Sequence, residues 1–312
     1  MQSGSCDHDQ GAHMNLPTIA FLGIGLMGTP MASRLLVAGY PLHAWNRSPD
    51  KAERLRSLGA IPCTTLADAV AGADVIISML SAGPAVEATI VAAAPSLMPG
   101  ALWIDMSSTR QGEAQACHAR LHALGHGFID APVSGGVAGA QAGQLAIMAG
   151  GSADDFLRAE ALLAVMGRPT LVGPAGSGQV AKLCNQLIVG GTLAIVAEAL
   201  LLAQAAGADP AAMRAAIRGG FAESRILEMH GQRMLERNFM PGGQVKSQLK
   251  DLHNVLVAAA DAGVVLPVAA LVTEHFGSIE HDFPRADQSA VLLALEKINP
   301  GQRLGTGADQ LP

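Results

Sequence analysis

Thr18-Ile19-Ala20-Phe21-Leu22-Gly23-Ile24-Gly25-Leu26-Met27-Gly28 is the stretch on which the fold reading turns. A short β-rich run, Ile19 to Leu22, leads straight into a Gly-x-Gly-x-x-Gly turn, and a helical stretch opens at Gly28. Gly23 lets the chain turn tightly, Gly25 lets backbone N–H groups approach a pyrophosphate, and Gly28 lets helix and strand pack closely. Leu26 and Met27 complete the turn, and the N-terminus of the following helix favours an anion. Alone the glycines are weak evidence. With a strand before them, a helix after and a second strand at Pro41 to Trp45, they predict a dinucleotide site rather than a merely structural turn.

Outward from that turn, short β-rich runs alternate with helical stretches as far as Val172, the pattern of parallel strands joined by crossover helices. Strands are expected at IAFLG, PLHAW, DVIISML, ALWIDM, HGFIDA, QLAIMAG and TLVG. Helices are expected at Gly28 to Ala38, Pro49 to Leu58, Thr65 to Val70 and Gln111 to Leu124. Past the glycine-rich punctuation at residues 173–178, apolar residues recur at helical spacing through Gln179 to Ala206, Pro210 to Ile217, Ser247 to Ala262 and Pro267 to Ile279. The fold class is therefore α/β, an N-terminal Rossmann-type doubly wound sheet followed by an all-α C-terminal domain. The boundaries read as a disordered leader at 1–14, a dinucleotide-binding domain at 15–175, an all-α substrate and oligomerisation domain at 176–300 beginning with a long interdomain helix, and a frayed tail at 301–312.

Composition narrows the function. The 312 residues carry 20 Lys and Arg against 26 Asp and Glu, a net charge of −6, which disfavours nucleic acid as a partner. Aromatic residues are 3%, too few for base-stacking platforms. Cys6, Cys63, Cys117 and Cys184 lie far apart without a CxxC pair, which excludes a disulfide framework or a cysteine-based zinc cluster. The first thirteen residues are polar and acidic without an apolar run, so Met14 reads as a natural start and the location as cytoplasmic. Leu187 to Ala203 is nearly all apolar but short for a span and has no basic flank; the expectation is a helix buried on nearly all sides, not a membrane segment.

Three further stretches carry chemistry. Trp45-Asn46-Arg47-Ser48 closes the second strand without the acid that would bind a ribose diol and repel a 2′-phosphate. Arg47 offers a guanidinium fork suited to phosphate, with Asn46 and Ser48 as neutral partners, so NADP(H) is preferred and NAD(H) possible; the bland alternative is a solvated turn. Asp130-Ala131-Pro132-Val133-Ser134-Gly135-Gly136 lies at a strand's C-terminal end, where the Gly135 and Gly136 N–H groups and the Ser134 hydroxyl could hold a carboxylate. In Gly178-Gln179-Val180-Ala181-Lys182-Leu183-Cys184-Asn185-Gln186, Lys182, Asn185 and Gln186 share nearly one helical face and could converge on a small polar ligand; the alternative is a lysine whose amine reaches solvent. His118, His122 and His126 repeat every four residues, but nothing completes a ligand set and no metal is expected; a solvated helix face is. Lys246, Lys250 and Asp251 read as a polar surface stripe.

FLGIGLMGTPMA, DAPVSGG, GQVAKLCNQ and QLKDL, in that order, resemble the β-hydroxyacid dehydrogenase family over most of the chain, from about Asn15 to Asn299. Within it, AEALLLAQAAGADP and GGFAESRILEMHGQRM look most like the tartronate semialdehyde (2-hydroxy-3-oxopropionate) reductases. The resemblance implies that Lys182 is the catalytic lysine, that Ser134, Gly135 and Gly136 hold the substrate carboxylate, and that Asn185 positions substrate. It also implies cofactor contacts at Ser108 and Lys250, which lifts Lys250 above surface charge. Gln186 departs from the family where many relatives have a second asparagine, and Asn46-Arg47 departs where NAD-preferring relatives have an acid.

The implied activity is reduction of a short 2-hydroxy-3-oxo acid to D-glycerate, the lysine acting as general acid and, in reverse, as base. Other short hydroxy acids (3-hydroxyisobutyrate, 4-hydroxybutyrate, threonate) are the near alternative, and a non-catalytic dinucleotide-binding module the distant one. The apolar helical half and the resemblance together imply a homodimer or homotetramer.

Overall fold

The computed structural model describes residues 16–312; the expected leader, Met14 and Cys6 lie outside the described residues. The first half runs β1 (Ile19–Leu22), α1 (Gly28–Val37), β2 (Leu42–Trp45), α2 (Pro49–Glu53), β3 (Ile61–Pro62), α3 (Leu66–Val70), β4 (Val75–Ser78) and α4 (Gly83–Ala93). It continues with β5 (Leu102–Asp105), α5 (Gln111–Ala123), β6 (Gly127–Asp130), β7 (Val133–Ser134), α6 (Gly136–Ala142), β8 (Leu145–Gly151), α7 (Ala153–Ala164) and β9 (Gly167–Gly173). The second half is helical: α8 (Ser177–Ala205), α9 (Pro210–Ala216), α10 (Arg225–Leu235), α11 (Val245–Asp261), α12 (Pro267–Glu280) and α13 (Val291–Ile298).

Both faces of the sheet are covered, and β1 shows why its sequence is apolar throughout. Ile19 and Phe21 join the core on one face while Ala20 and Leu22 join the core on the other. Strand order is β3-β2-β1-β4-β5-β6-β8-β7, with β9 on β8. β1 pairs in parallel with both β2 and β4, so the order reverses there and opens a crevice above its C-terminal end. Side-chain caps fix several helix starts: Thr65 accepts from the Asp68 N–H, Ser152 from Asp155 and Ser224 from Leu227.

Three expectations need correction. The sheet is not parallel throughout, because β8 runs antiparallel to β6 and β7. The strand run breaks at Ala131-Pro132 between β6 and β7, and the chain reverses through α6 before β8, with Ser134 ending β7 and Gly136 opening α6. Second, α8 is not buried on nearly all sides. It packs against β6 to β9 and α9 to α13, but Ile188, Ile195 and Leu202, spaced by seven on one face, are 66%, 62% and 69% exposed.

Third, residues 301–312 are not frayed. Leu304 is fully buried, and the Phe239 N–H donates to the Gln310 carbonyl at 2.9 Å. The buried Arg237 guanidinium pairs with Asp309, donates to Glu296 Oε1 at 2.7 Å and to the Leu304 carbonyl at 2.8 Å, and lies 5.7 Å from the Phe239 ring centroid. Arg237 also holds φ 51, a left-handed conformation costly for a side chain of this kind and kept because so many partners fix it. Arg237→Ala removes the buried cation from Glu296 and Asp309, leaving Asp309 with Arg303 at 3.1 Å, and breaking a buried pair typically costs about 3–5 kcal/mol. Urea unfolding measures this; a variant as stable as the parent contradicts the tail anchor.

Candidate active site

The crevice above β1 is lined by a turn whose geometry the glycines permit. A Cβ on Gly28 would overlap the Gly23 carbonyl oxygen and one on Gly23 would overlap that of Met79, whereas a Cβ on Gly25 would meet nothing within 4 Å. The first two are packing positions and the third faces open space. The N–H groups of Gly25, Leu26 and Met27 find no acceptor among the described residues, and Leu26 is 81% exposed. Unpaired donors at the mouth of α1 fit a pyrophosphate.

Beside this turn, Asn46 does something other than expected. Its Oδ1 accepts from the Ile24 N–H at 3.0 Å and its Nδ2 donates to the Ser48 carbonyl at 3.1 Å. One end of the amide braces the glycine turn and the other closes the loop after β2. Arg47 and Ser48 are exposed, and the Arg47 guanidinium makes no ion pair or side-chain hydrogen bond among the described residues. It remains free for an anion.

Across the crevice, two carboxylates lie side by side at neighbouring strand ends, since Asp105 and Asp130 are register partners. Asp105 accepts from the Ser78 hydroxyl at 2.8 Å and the Ser107 hydroxyl at 2.7 Å, while Ser107 Oγ accepts from the Leu80 N–H at 2.8 Å. Asp130 is fully buried and takes the Gly176 N–H at 2.7 Å on Oδ1 and the Gln179 N–H at 2.9 Å on Oδ2. It therefore caps α8 from another element, where Gly176 has no side chain to do so. The fit is close: a Cβ on Gly178 would overlap the Met148 carbonyl oxygen, and one on Gly150 would stand 2.6 Å from Asp130 Oδ1. Gln179 completes the joint, accepting from the Thr109 N–H and donating to the Ser107 carbonyl, each at 2.9 Å. Burial pushes both carboxyls up to about 6, against the hydrogen bonds that favour their charged forms.

Held this way, α8 presents Lys182, Asn185 and Gln186 to α11. Lys182 Nζ donates to Gln186 Oε1 at 3.0 Å, and Asn185 Nδ2 donates to the same oxygen at 2.9 Å. Lys250 Nζ lies 3.2 Å from Asp251 Oδ1 and donates to the Ser108 carbonyl at 3.4 Å, so α11 reaches across to the loop after β5. Burial draws the Lys182 ammonium below the usual lysine range; Asp251 opposes this and Lys250 adds to it. Ser134 is half-buried, and Gly135 and Gly136 hold φ 136 and φ 63. Those angles suit glycine, and they turn an exposed backbone outward at the start of α6.

Two groups of residues are thus each joined by direct bonds: the glycine turn with Asn46, and Lys182 with Asn185, Gln186, Asp251, Lys250 and Ser108. Ser134 to Gly136 bond directly to neither, but β7 packs against α8. Asp105, Asp130, Ser107, Gln179, Gln248 and Asp251 were not singled out as site residues. An Asp ending each of two adjacent strands was a legible signal, as was Gln248 three residues before Asp251. His118 departs from the solvated face expected of it, since its ring packs 6.2 Å from that of Phe128. Among the described residues no group of three His, Cys, Asp or Glu is placed to hold a metal.

Known proteins resemble this chain over about nine-tenths of its length. Residues 18–176 match the NAD binding domain of 6-phosphogluconate dehydrogenase, and residues 176–295 match the NAD-binding region of NADP-dependent 3-hydroxyisobutyrate dehydrogenase. The 2-hydroxy-3-oxopropionate reductase of Escherichia coli strain K12 is 40% identical over 283 residues, covering 89% of this chain and 97% of that protein. A solved Mycobacterium tuberculosis 3-hydroxyisobutyrate dehydrogenase with L-serine superposes with TM-score 0.83 at 31% identity, over 90% of this chain and 99% of that one. The structure of Psf3 in complex with NADP+ and 2-OPP gives TM-score 0.81 at 25% identity, over 89% and 100%.

The Asp130 cap has a pH signature. Its folded-state pKa of about 6 stands above the ordinary value near 4, so between those values the folded protein holds a proton that the unfolded chain has released. The carboxyl's contribution to stability is present at low pH and lost as pH rises through about 6. Asp130→Asn abolishes that component. Melting temperatures of the two proteins, followed from pH 4 to pH 7 at intervals of about half a unit, should differ by an amount that changes across this window. A constant difference contradicts the assignment.

Proposed function

The chain belongs to the β-hydroxyacid dehydrogenase family, and from that membership we propose that it reduces 2-hydroxy-3-oxopropionate to D-glycerate, with NADPH as the preferred cofactor. The observation that carries the reading is a half-buried Lys182 on a helix capped by the sheet itself, in a chain whose glycine turn suits a dinucleotide. The 40% identity to a 2-hydroxy-3-oxopropionate reductase supports the substrate.

In this reading Gly25, Leu26 and Met27 hold the pyrophosphate, with Gly23 and Gly28 shaping the turn and Asn46 bracing it. Arg47 and Ser48 receive the 2′-phosphate, and Ser108 and Lys250 flank the nicotinamide. A bound nicotinamide supplies hydride to the aldehyde carbon. Ser134 with the Gly135 and Gly136 backbone anchors the substrate carboxylate, and Asn185 orients the carbonyl. Lys182 Nζ gives a proton to the carbonyl oxygen, a contribution of about 10²–10⁴-fold for a positioned general acid. The ammonium also stabilises negative charge developing on that oxygen. In the reverse direction the neutral amine takes the proton. The likeness to a 3-hydroxyisobutyrate dehydrogenase solved with L-serine favours a second reading, the same chemistry on another short hydroxy acid.

Cys63, Cys117 and Cys184 form no disulfide among the described residues, which fits the reducing cytoplasm. The exposed row Ile188, Ile195 and Leu202 fits burial against a second copy, as a homodimer or homotetramer. Light scattering at micromolar concentration should return a multiple of the single-chain mass; the single-chain mass contradicts assembly.

One assay tests the chemistry: short aldehyde acids and their hydroxy acids, each with NADPH and NADH, on the parent, Lys182→Ala and Arg47→Ala. The expected result is fastest turnover of 2-hydroxy-3-oxopropionate with NADPH, loss of at least about 10²-fold in kcat for Lys182→Ala with cofactor still bound, and a selective loss with NADPH for Arg47→Ala. Unchanged turnover in Lys182→Ala contradicts the mechanism. A preference for NADH that Arg47→Ala leaves intact contradicts the phosphate role.

A further inference from the structure

We propose that Gln186 is a positioning residue that couples Lys182 to the buried carboxylate of Asp251 and thereby sets how tightly the amine holds its proton. The proposal rests on the reading of Lys182 as the proton donor.

Every hydrogen-bonding position of the Gln186 amide is filled. Oε1 accepts from Lys182 at 3.0 Å and from Asn185 at 2.9 Å, while Nε2 donates to Gln248 Oε1 at 3.0 Å and to Asp251 Oδ2 at 2.9 Å. Gln248 in turn donates to the Gln186 backbone carbonyl at 3.0 Å. These partners fix which end of the amide is which. Turned over, its NH₂ would face two donors and its oxygen would face a carboxylate and a second amide oxygen. The side chain is therefore a one-way link with the cation at its oxygen and the anion at its nitrogen.

Lys182 makes no direct ion pair among the described residues. Its counter-charge, Asp251, is 7% exposed and shared: Oδ1 faces Lys250 directly, and Oδ2 reaches Lys182 only through Gln186. An amide between amine and acid keeps the ammonium compensated in a site of low dielectric without the tight contact that would hold its proton fast. Both helices supply the spacing. Gln186 follows Lys182 by four residues, and Asp251 follows Gln248 by three, so each pair shares a face.

The other charged groups facing this part of α8 are already committed. Lys250 lies against Asp251 and the Ser108 carbonyl, Arg110 at the start of α5 donates to Asn254 of α11 at 3.3 Å, and Asp130 is filled by backbone N–H groups. Asp251 opposes the effect of burial on Lys182, and Lys250 adds to it. Cutting the link should lower the amine's proton affinity. In the reduction direction, where the protonated amine is the active form, the basic limb of the kcat/KM profile should then move to lower pH.

The test is a double-mutant cycle read by pH profile, using the aldehyde acid turned over fastest by the parent with NADPH. Gln186→Leu and Asp251→Asn should each shift the basic limb down by about half a unit or more, with the effect on kcat exceeding that on KM. Combined, they should shift it little further than Gln186→Leu alone, because the acid acts through the amide. NADPH binding and circular dichroism confirm the fold, and should the Leu variant fail to fold, Gln186→Asn, one methylene shorter, should give the same shift in smaller measure. An unmoved limb in the Gln186 variants, or equal Asp251→Asn shifts in both backgrounds, overturns the proposal alone. Turnover surviving in Lys182→Ala overturns the reading of Lys182 and this coupling with it.

Discussion

A buried carboxylate ties the first helix of the helical half to the sheet. Asp130 ends a strand of the sheet, and its two oxygens take the N–H groups of Gly176 and Gln179 at the start of the 29-residue helix α8. A helix start carries unpaired donors and partial positive charge, so the acid and the helix end neutralise each other where neither meets water. Lys182 stands three residues beyond Gln179. Its distance from the crevice above β1 is thus set by a bond to the sheet rather than by a flexible linker. Glycine at positions 150 and 178 follows from the same joint, since a side chain at either would collide with it.

Beyond that anchor a second set of bonds ties α8 to α11. Gln186 ties Lys182 and Asn185 to Gln248 and Asp251, and Lys250 carries the tie across to the Ser108 carbonyl. Fixing the Lys182 amine between two such anchors holds it in place, and burial makes each hydrogen bond to it count for more. The arrangement has a cost in buried charge, visible in Asp105 and Asp130, whose carboxyls rise to about 6. Proteins accept such costs where a site needs fixed polar groups.

The sheet was legible because its strands are short apolar runs set off by glycine turns, and β1, β2, β4, β5, β6, β8 and β9 all lie within or across the expected runs. β3 and β7 are two residues each, too short for any periodicity. The antiparallel turn of β8 escaped notice because a buried strand looks apolar in either direction. Helix α4 has apolar residues on nearly every side and so no clear face to detect, and α6 is mostly glycine and alanine. Lys182, Asn185 and Gln186 declared themselves by sharing a helical face. Asp251 did not, because a Lys-Asp pair on a helix reads as surface until the packing of α11 against α8 buries the acid. Asn46 shows a role that its neutral side chain did not announce: its Oδ1 braces the glycine turn at Ile24 while its Nδ2 holds the Ser48 carbonyl.

The claim on which all this turns is that α8 delivers the Lys182 amine to the reacting oxygen. A crystal structure with NADP+ and D-glycerate bound tests it most directly. The account expects Lys182 Nζ at hydrogen-bond distance, about 2.6–3.2 Å, from the hydroxyl oxygen next to the carbon that exchanges hydride, with the Asp130 bonds to α8 intact. An amine turned into bulk water, with the hydroxyl held by other groups, would contradict it.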